Sequence, residues 1–372
     1  MKQPLSATIF VDFVGKNRSY TLTQILKQND EAKVSVIVPK AMRKQVKSRG
    51  SVSVLSTKER LMKMGQGCSC CTVRGDIMSL VRRVAADQSA QHIIIQSTAD
   101  SDLKVLAKTF TIPNEKGNLL SDVVRLDNLV LAVDALSLLK TFETTGGRAL
   151  IERLELASLI ILEGVEHLHS GAYQQIEYAL QALNPEVRIM QSKESTLQLS
   201  EFTSSKPYDF DAKVQQLTSD EIFEGQHSSE EITRFKYFAR RPFHPSRFHS
   251  FLNEQWKGIL RVKGSFWVAS QPDCAAELDI AGRSKRSSSD GKWWASVPPE
   301  ERPSHSRFQE YIDRIWHPQF GDRHHALRIT GVNIEENDLR QRLDDCLLND
   351  EELESSAQWA DLDHPFSWPK RT

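Results

Sequence analysis

Three thiols fall within four positions at Cys68-Ser69-Cys70-Cys71. Thiolates are preferred ligands of Zn²⁺ in tetrahedral sites, and three of them leave one position open. That is the arrangement of a site that accepts and releases metal, whereas a closed shell of four ligands braces a fold. Cys68, Cys70 and Cys71 are therefore the candidate metal ligands. Cys68 and Cys71 also have the C-x-x-C spacing of thiol–disulfide exchange, so redox chemistry is a second reading, and ordinary buried cysteines are a third. Cys274 and Cys346 stand alone and read as packing residues. The 11 histidines include no H-E-x-x-H or H-x-x-E-H helix. His167 with His169, and His324 with His325, are auxiliary ligand candidates for which surface or core roles weigh more.

A second stretch has the position of a phosphate cradle but few of its residues. Such a loop follows a first strand and needs glycines so that backbone amides can wrap phosphates, a Lys to reach the outer phosphates, and Ser or Thr to hold magnesium. Here Thr8-Ile9-Phe10-Val11 leads into Asp12-Phe13-Val14-Gly15-Lys16-Asn17-Arg18-Ser19. Against G-x-x-x-x-G-K-S/T, Asp12 and Asn17 hold the glycine sites, Arg18 the lysine site, and only Ser19 fits. A carboxylate facing the phosphate nest repels a triphosphate, and its side chain crowds the close approach of backbone. Gly15, Arg18 and Ser19 remain the candidate nucleotide-binding residues, with Arg18 geometrically unlike the Lys it replaces. Further on, Gln96 cannot supply the magnesium-polarising carboxylate expected after the strand His92 to Ile95. The guanine-reading Asn-Lys-x-Asp is replaced by Glu163-Gly164-Val165-Glu166, in which Glu166 alone could bond the base. No catalytic residue is assigned.

The elements that position these residues follow from periodicity. Ala7 to Val14, Val34 to Val38, Ser51 to Leu55, His92 to Gln96, Leu129 to Val133, Leu159 to Leu162 and Val187 to Met190 read as strands. Several, such as Ile93-Ile94-Ile95, are apolar on consecutive residues, as a strand covered on both faces must be. Leu22 to Gln28, Thr72 to Ala86, Asp102 to Phe110 and Ala172 to Leu183 have helical spacing. Alternation of the two predicts a doubly wound, mainly parallel α/β domain over residues 1–195. Polar text over 196–230 reads as linker. Residues 231–350 read as a smaller α+β domain. Its strands are expected at Ile232 to Arg240, Ile259 to Val268, Ala276 to Ile280, Lys292 to Ser296 and Ala326 to Gly331, its helices at Pro245 to Trp256, Phe308 to Trp316 and Glu336 to Leu347. Residues 351–372 read as a tail.

Composition bounds the partners. At 372 residues the chain is long enough for two ordinary domains, and 39% hydrophobic with 26% charged residues is a globular balance. Lys and Arg number 48 against 49 Asp and Glu, so no bulk field draws the chain to nucleic acid or to an anionic membrane. The basic run Lys40, Arg43, Lys44, Lys47 and Arg49 reads as a solvated helix face. No apolar stretch is long enough to span a bilayer, and the start lacks a signal-peptide core, so the expected compartment is the cytoplasm. Five cysteines, an odd number with three clustered, fit metal or redox chemistry in a reducing compartment better than a disulfide framework.

Together these residues resemble the CobW family of P-loop GTPases, in which Gly-Cys-x-Cys-Cys lies between the phosphate loop and the Walker B strand. Gly67-Cys68-Ser69-Cys70-Cys71-Thr72-Val73-Arg74-Gly75-Asp76 matches in residue type and place. In the second half, Phe238-Ala239-Arg240-Arg241-Pro242-Phe243-His244-Pro245, Lys263-Gly264-Ser265-Phe266-Trp267, Trp293-Trp294-Ala295, Gly321-Asp322-Arg323 and Cys346-Leu347-Leu348 are similar to the CobW C-terminal domain of the zinc-related branch. One departure is Pro39-Lys40-Ala41-Met42, where the family has Asn-Glu-x-Gly. The resemblance implies a P-loop NTPase-like first domain and a CobW C-terminal second domain. It also implies a cytoplasmic chaperone or insertase for zinc or a related metal, in which binding of GTP with Mg²⁺ is coupled to metal transfer to a client metalloprotein. Cys68, Cys70 and Cys71 would hold the metal. The eroded loop predicts GTP turnover weakened or lost, against an active divergent GTPase or a thiol-redox protein on the same scaffold. A homo-oligomer is compatible with this reading.

Overall fold

The consecutive apolar runs form a seven-stranded sheet in the computed structural model of the protein, which describes residues 4–13, 20–29, 31–47, 50–57, 69–88, 90–98, 101–113, 117–142, 147–192, 198–202, 207–218, 230–366 and 368. The chain forms two compact units, Met1–Lys140 with Glu152–Thr218, and Thr141–Ile151 with Ser219–Thr372.

The first unit is built on β1 (Leu5–Asp12), β2 (Val34–Val38), β3 (Ser53–Ser56), β4 (His92–Ser97), β5 (Val124–Asp134), β6 (Leu159–Glu163) and β7 (Arg188–Gln191), in the spatial order β3-β2-β4-β1-β5-β6-β7. Every neighbouring pair is parallel. Ala7, Ile9, Phe10 and Val11 are all buried, so β1 is covered on both faces, as its unbroken apolar run requires. The helices are α1 (Tyr20–Gln28), α2 (Ser69–Asp87), α3 (Leu103–Lys108), α4 (Ala135–Phe142), α5 (Arg148–Leu154), α6 (Ala172–Leu183) and α7 (Phe210–Thr218), with α4 and α5 running across the division between the units. α1 buries Thr21, Leu22, Ile25 and Leu26, one stripe at helical period, in a core shared with Phe10, Val36, Ile94 and Val130.

Here the structure differs from expectation in several segments. β5 begins at Val124 rather than Leu129, because its polar start is buried through hydrogen bonds: Ser6 Oγ donates to the Asp127 carboxylate, and Ser158 Oγ donates to Asn128 Oδ1 at 3.0 Å. The stretch 196–230, read as linker, holds a 3₁₀ turn (Leu199–Phe202) and α7. It is tied to the first unit by the Tyr208 hydroxyl donating to the Leu156 carbonyl at 2.6 Å and the Lys213 ammonium donating to Asn184 Oδ1 at 2.6 Å. In the basic run, Lys40–Met42 forms a 3₁₀ turn, with Lys40, Arg43, Lys44 and Lys47 exposed while Met42 and Val46 are buried; Arg49 lies outside the described residues.

The second unit is a five-stranded antiparallel sheet, order β11-β10-β9-β12-β8, made of β8 (Ile232–Ala239), β9 (Ile259–Phe266), β10 (Cys274–Ala281), β11 (Ser284–Lys292) and β12 (His325–Val332). Alternate residues such as Val262, Leu278, Leu327 and Ile329 join one core with α8 (Pro245–Asn253) and α10 (Glu336–Asp344). α9 (Ser306–Ile315) and α11 (Asp350–Glu354) complete the described helices. The strand expected at Lys292 to Ser296 is instead β11, followed by a 3₁₀ turn at Trp294–Ser296. β11 is polar along its length because it is an edge strand, where hydrophobic text would invite pairing with another chain. Phe366 and Trp368, placed by sequence in a tail, are buried beside Phe266. Among the described residues, no helix is long and apolar enough to cross a membrane.

Candidate functional site

In a parallel sheet of this kind, ligands collect in the crevice outside the carboxyl ends of the strands. Here that edge is made by the last residues of β1, β4, β5 and β6, which are Asp12, Ser97, Asp134 and Glu163. Asp12 is buried, and its Oδ2 accepts the backbone N–H of Thr21 at 2.9 Å. Thr21 is the second residue of α1, so a side chain of the first strand satisfies one of the helix's unpaired N-terminal donors. The Thr21 hydroxyl donates in turn to Glu163 Oε1 at 3.0 Å. Two carboxylates thus converge on the helix terminus that in a working phosphate loop faces the anion.

The parallel register of β5 and β6 sets Asp134 directly beside Glu163. Asp134 caps the start of α4 by accepting the Ser137 N–H at 2.7 Å. Burial raises the Glu163 carboxyl above its ordinary value, hydrogen bonds from Ser192 and Thr21 oppose that rise, and the nearby Glu166 and Asp134 add to it. Glu166 lies in a 3₁₀ turn (Val165–His167) with an exposed side chain 3.4 Å from His167. At the end of β4, Gln96 and Ser97 are both buried and neutral. This edge thus carries the carboxylates of Asp12, Asp134 and Glu163, and one amide of α1 is already bonded to Asp12.

Of the residues singled out by sequence, Gly15, Arg18, Ser19 and Cys68 lie outside the described residues, as do the side chains of Cys70 and Cys71. The backbone is informative for the last two: α2 begins at Ser69, three residues before the expected start, so Cys70 and Cys71 stand in its first turn. His167 and His169 are exposed. His325 is fully buried, with Nε2 2.7 Å from the Arg241 carbonyl and its ring 3.8 Å from that of Phe243, and His324 stacks on Phe238. His325 is thus a core residue, and His324 is half-buried. Among the described residues, no group of three or more His, Cys, Asp or Glu side chains forms a metal shell. Sequence reasoning missed Thr21 and Asp134. The signals available were a hydroxyl two residues beyond Ser19 and an acid closing an apolar strand.

Comparison with known proteins supplies independent findings. Residues 6–191 match the family model of the CobW/HypB/UreG nucleotide-binding domain, and residues 232–347 match that of the cobalamin synthesis protein cobW C-terminal domain. The chain is 27% identical over 388 aligned positions to a zinc-regulated GTPase metalloprotein activator of Dictyostelium discoideum, covering 94% of this chain and 81% of that protein. It is 25% identical to a zinc chaperone of Mycobacterium tuberculosis, covering 86% of this chain and 81% of the relative. Among solved structures, it is similar to the Zn(II)-bound YjiA GTPase of E. coli, with 15% identity, 93% of this chain and 100% of that chain covered, and a TM-score of 0.39.

Proposed function

The chain belongs to the CobW family, and from that premise we propose that it is a zinc chaperone or regulator of the cytoplasm. It takes up Zn²⁺ through Cys68, Cys70 and Cys71 and passes or buffers it toward a client metalloprotein, with GTP binding and hydrolysis weakened or lost. The names of two relatives, a zinc-regulated metalloprotein activator and a zinc chaperone, support the metal. The start of α2 at Ser69 supports the reading, since Cys70 and Cys71 fall in its first turn, where amides and the helix dipole favour thiolate over thiol. A thiolate is the form that binds metal, and a three-ligand shell leaves room for a transfer partner's own ligand. For the nucleotide, the support is the Asp12 carboxylate bonded to Thr21 at the end of β1.

The test is a paired titration of reduced protein with Zn²⁺ against a competing chelator and with Mg²⁺ and GTP, on the native chain and on the Cys68→Ser, Cys70→Ser, Cys71→Ser triple variant. The expected result is about one tightly held zinc per chain, absent from the variant, and no measurable GTP binding. Zinc affinity unchanged in the variant overturns the assigned ligands. GTP binding that alters zinc affinity shows an active divergent GTPase instead, and a reversible Cys68–Cys71 disulfide without zinc binding shows redox chemistry.

A further inference from the structure

In the second unit, residues 254–260 with Gly282, Arg283 and Lys285 wall a cleft of about 460 Å³ that also takes in Phe142, within the size range of small-molecule sites. One side is apolar and fixed. The Trp256 indole N–H donates to the Phe251 carbonyl at 2.9 Å and its ring packs 4.6 Å from that of Phe251, while Ile259 and Leu260 are buried beneath. Gly282 keeps the wall thin: its φ is +54°, and a Cβ there would stand 3.1 Å from Ile151 Cδ1.

The other side is cationic. The Lys285 ammonium donates to the Leu252 and Glu254 carbonyls, the latter at 2.6 Å, and lies 5.1 Å from the Trp256 ring centroid, so its charge is held in place. Lys257 and Arg283 line the same cleft, both exposed and, among the described residues, neither paired with a carboxylate. The one acid in the lining, Glu254, is neutralised by Arg342. A fixed cation, two unpaired ones and an apolar wall in one concavity match a ligand that is anionic at one end and flat and apolar at the other.

We propose that this cleft binds a small aromatic phosphate, its ring against Trp256 and Leu260 and its anion between Lys257, Arg283 and Lys285. The site lies apart from the cysteine cluster in sequence and does not depend on metal binding.

Calorimetry of the full chain with phenyl phosphate and, separately, inorganic phosphate tests it. Phenyl phosphate binds the native chain, inorganic phosphate binds at least about 10-fold more weakly, and Lys257→Gln with Arg283→Gln weakens phenyl phosphate at least about 10-fold. Both substituted side chains are exposed, so the thermal unfolding curve stays unchanged. The single variant Arg283→Glu gives the same direction if the double variant folds poorly. An Arg18→Gln variant, altered in the eroded phosphate loop, binds phenyl phosphate as the native chain does. No binding to the native chain, equal affinity in the Lys257 and Arg283 variants, or loss in the Arg18 variant overturns the proposal.

Discussion

The carboxylate of Asp12 accepts the backbone N–H of Thr21 at 2.9 Å, joining the last residue of β1 to the first turn of α1 across the segment where a phosphate loop would lie. A backbone donor of the α1 terminus is thereby satisfied by an anion of the chain itself. Asp12→Asn keeps an acceptor for Thr21 and removes the charge, so its stability stays within about 1 kcal/mol of the native chain. Asp12→Ala leaves the buried Thr21 donor without that acceptor and loses about 1–3 kcal/mol. Urea unfolding of both variants checks this, and an Asp12→Ala chain as stable as the native one would show that the bond does not hold α1.

Protonation of a buried histidine sets a pH limit on the first unit. Burial lowers the pKa of His92 to about 4, against an opposing pull from Asp127, and Nε2 sits 3.0 Å from the Thr8 hydroxyl. In the unfolded chain the same ring takes a proton near its ordinary 6.5. Its neutral form is therefore the folded form: the contribution is complete above pH 6.5 and is lost as pH falls toward 4, at about 1.4 kcal/mol per pH unit. His325 in the second unit, lowered to about 3 by burial, acts in the same direction. Unfolding free energies at pH 7, 6 and 5 should fall with a shallower slope in a His92→Gln variant; parallel slopes would assign the loss elsewhere.

Gly264 sits mid-strand in β9 with φ at +152°, and a Cβ built there would lie 1.8 Å from the Ala326 carbonyl oxygen on β12. Backbone contact of this kind cannot be relieved by turning a side chain. Gly264→Ala is expected to destabilise the second unit by about 3 kcal/mol or more, seen as a lower urea midpoint and a lower soluble yield. A variant within about 1 kcal/mol of native would mean that β9 and β12 can move apart at this point.

Elements that were apolar throughout were legible in the sequence, and those whose burial rests on hydrogen bonds were not. β2 and β4 announce themselves as Val34 to Val38 and Ile93 to Ile95 because both faces are covered. The start of β5 hides behind Asp127 and Asn128, whose partners lie far along the chain on Ser6 and Ser158. β11 hides because an edge strand has reason to be polar. At the candidate site, Asp12 at the position of the first phosphate-loop glycine is visible in one dimension. The bond from Thr21 to that carboxylate, and the pairing of Asp134 with Glu163, depend on α1 folding back and on the β5–β6 register, which no local pattern encodes.

Arg148, at the start of α5, is nearly buried and makes four contacts to one strand pair. Its guanidinium meets Asp279 Oδ2 at 2.8 Å, the Asp279 carbonyl at 2.5 Å, and the Ser284 hydroxyl and carbonyl at 3.2 Å each. Burial alone would raise the Asp279 carboxyl, but Arg261 and Arg148 outweigh it and hold the group below its ordinary value. Removing one partner of a largely buried pair strands the other, although Arg261 remains to shield Asp279. Arg148→Ala should therefore lose about 2–4 kcal/mol. Arg148→Lys keeps the charge but not the planar fork that reaches two carbonyls and a carboxylate together, and should still lose about 1–2 kcal/mol. If urea unfolding finds the lysine variant equal to native, charge alone holds this residue to the β10–β11 pair; if both variants fall in the expected order, the fork geometry is what holds it there.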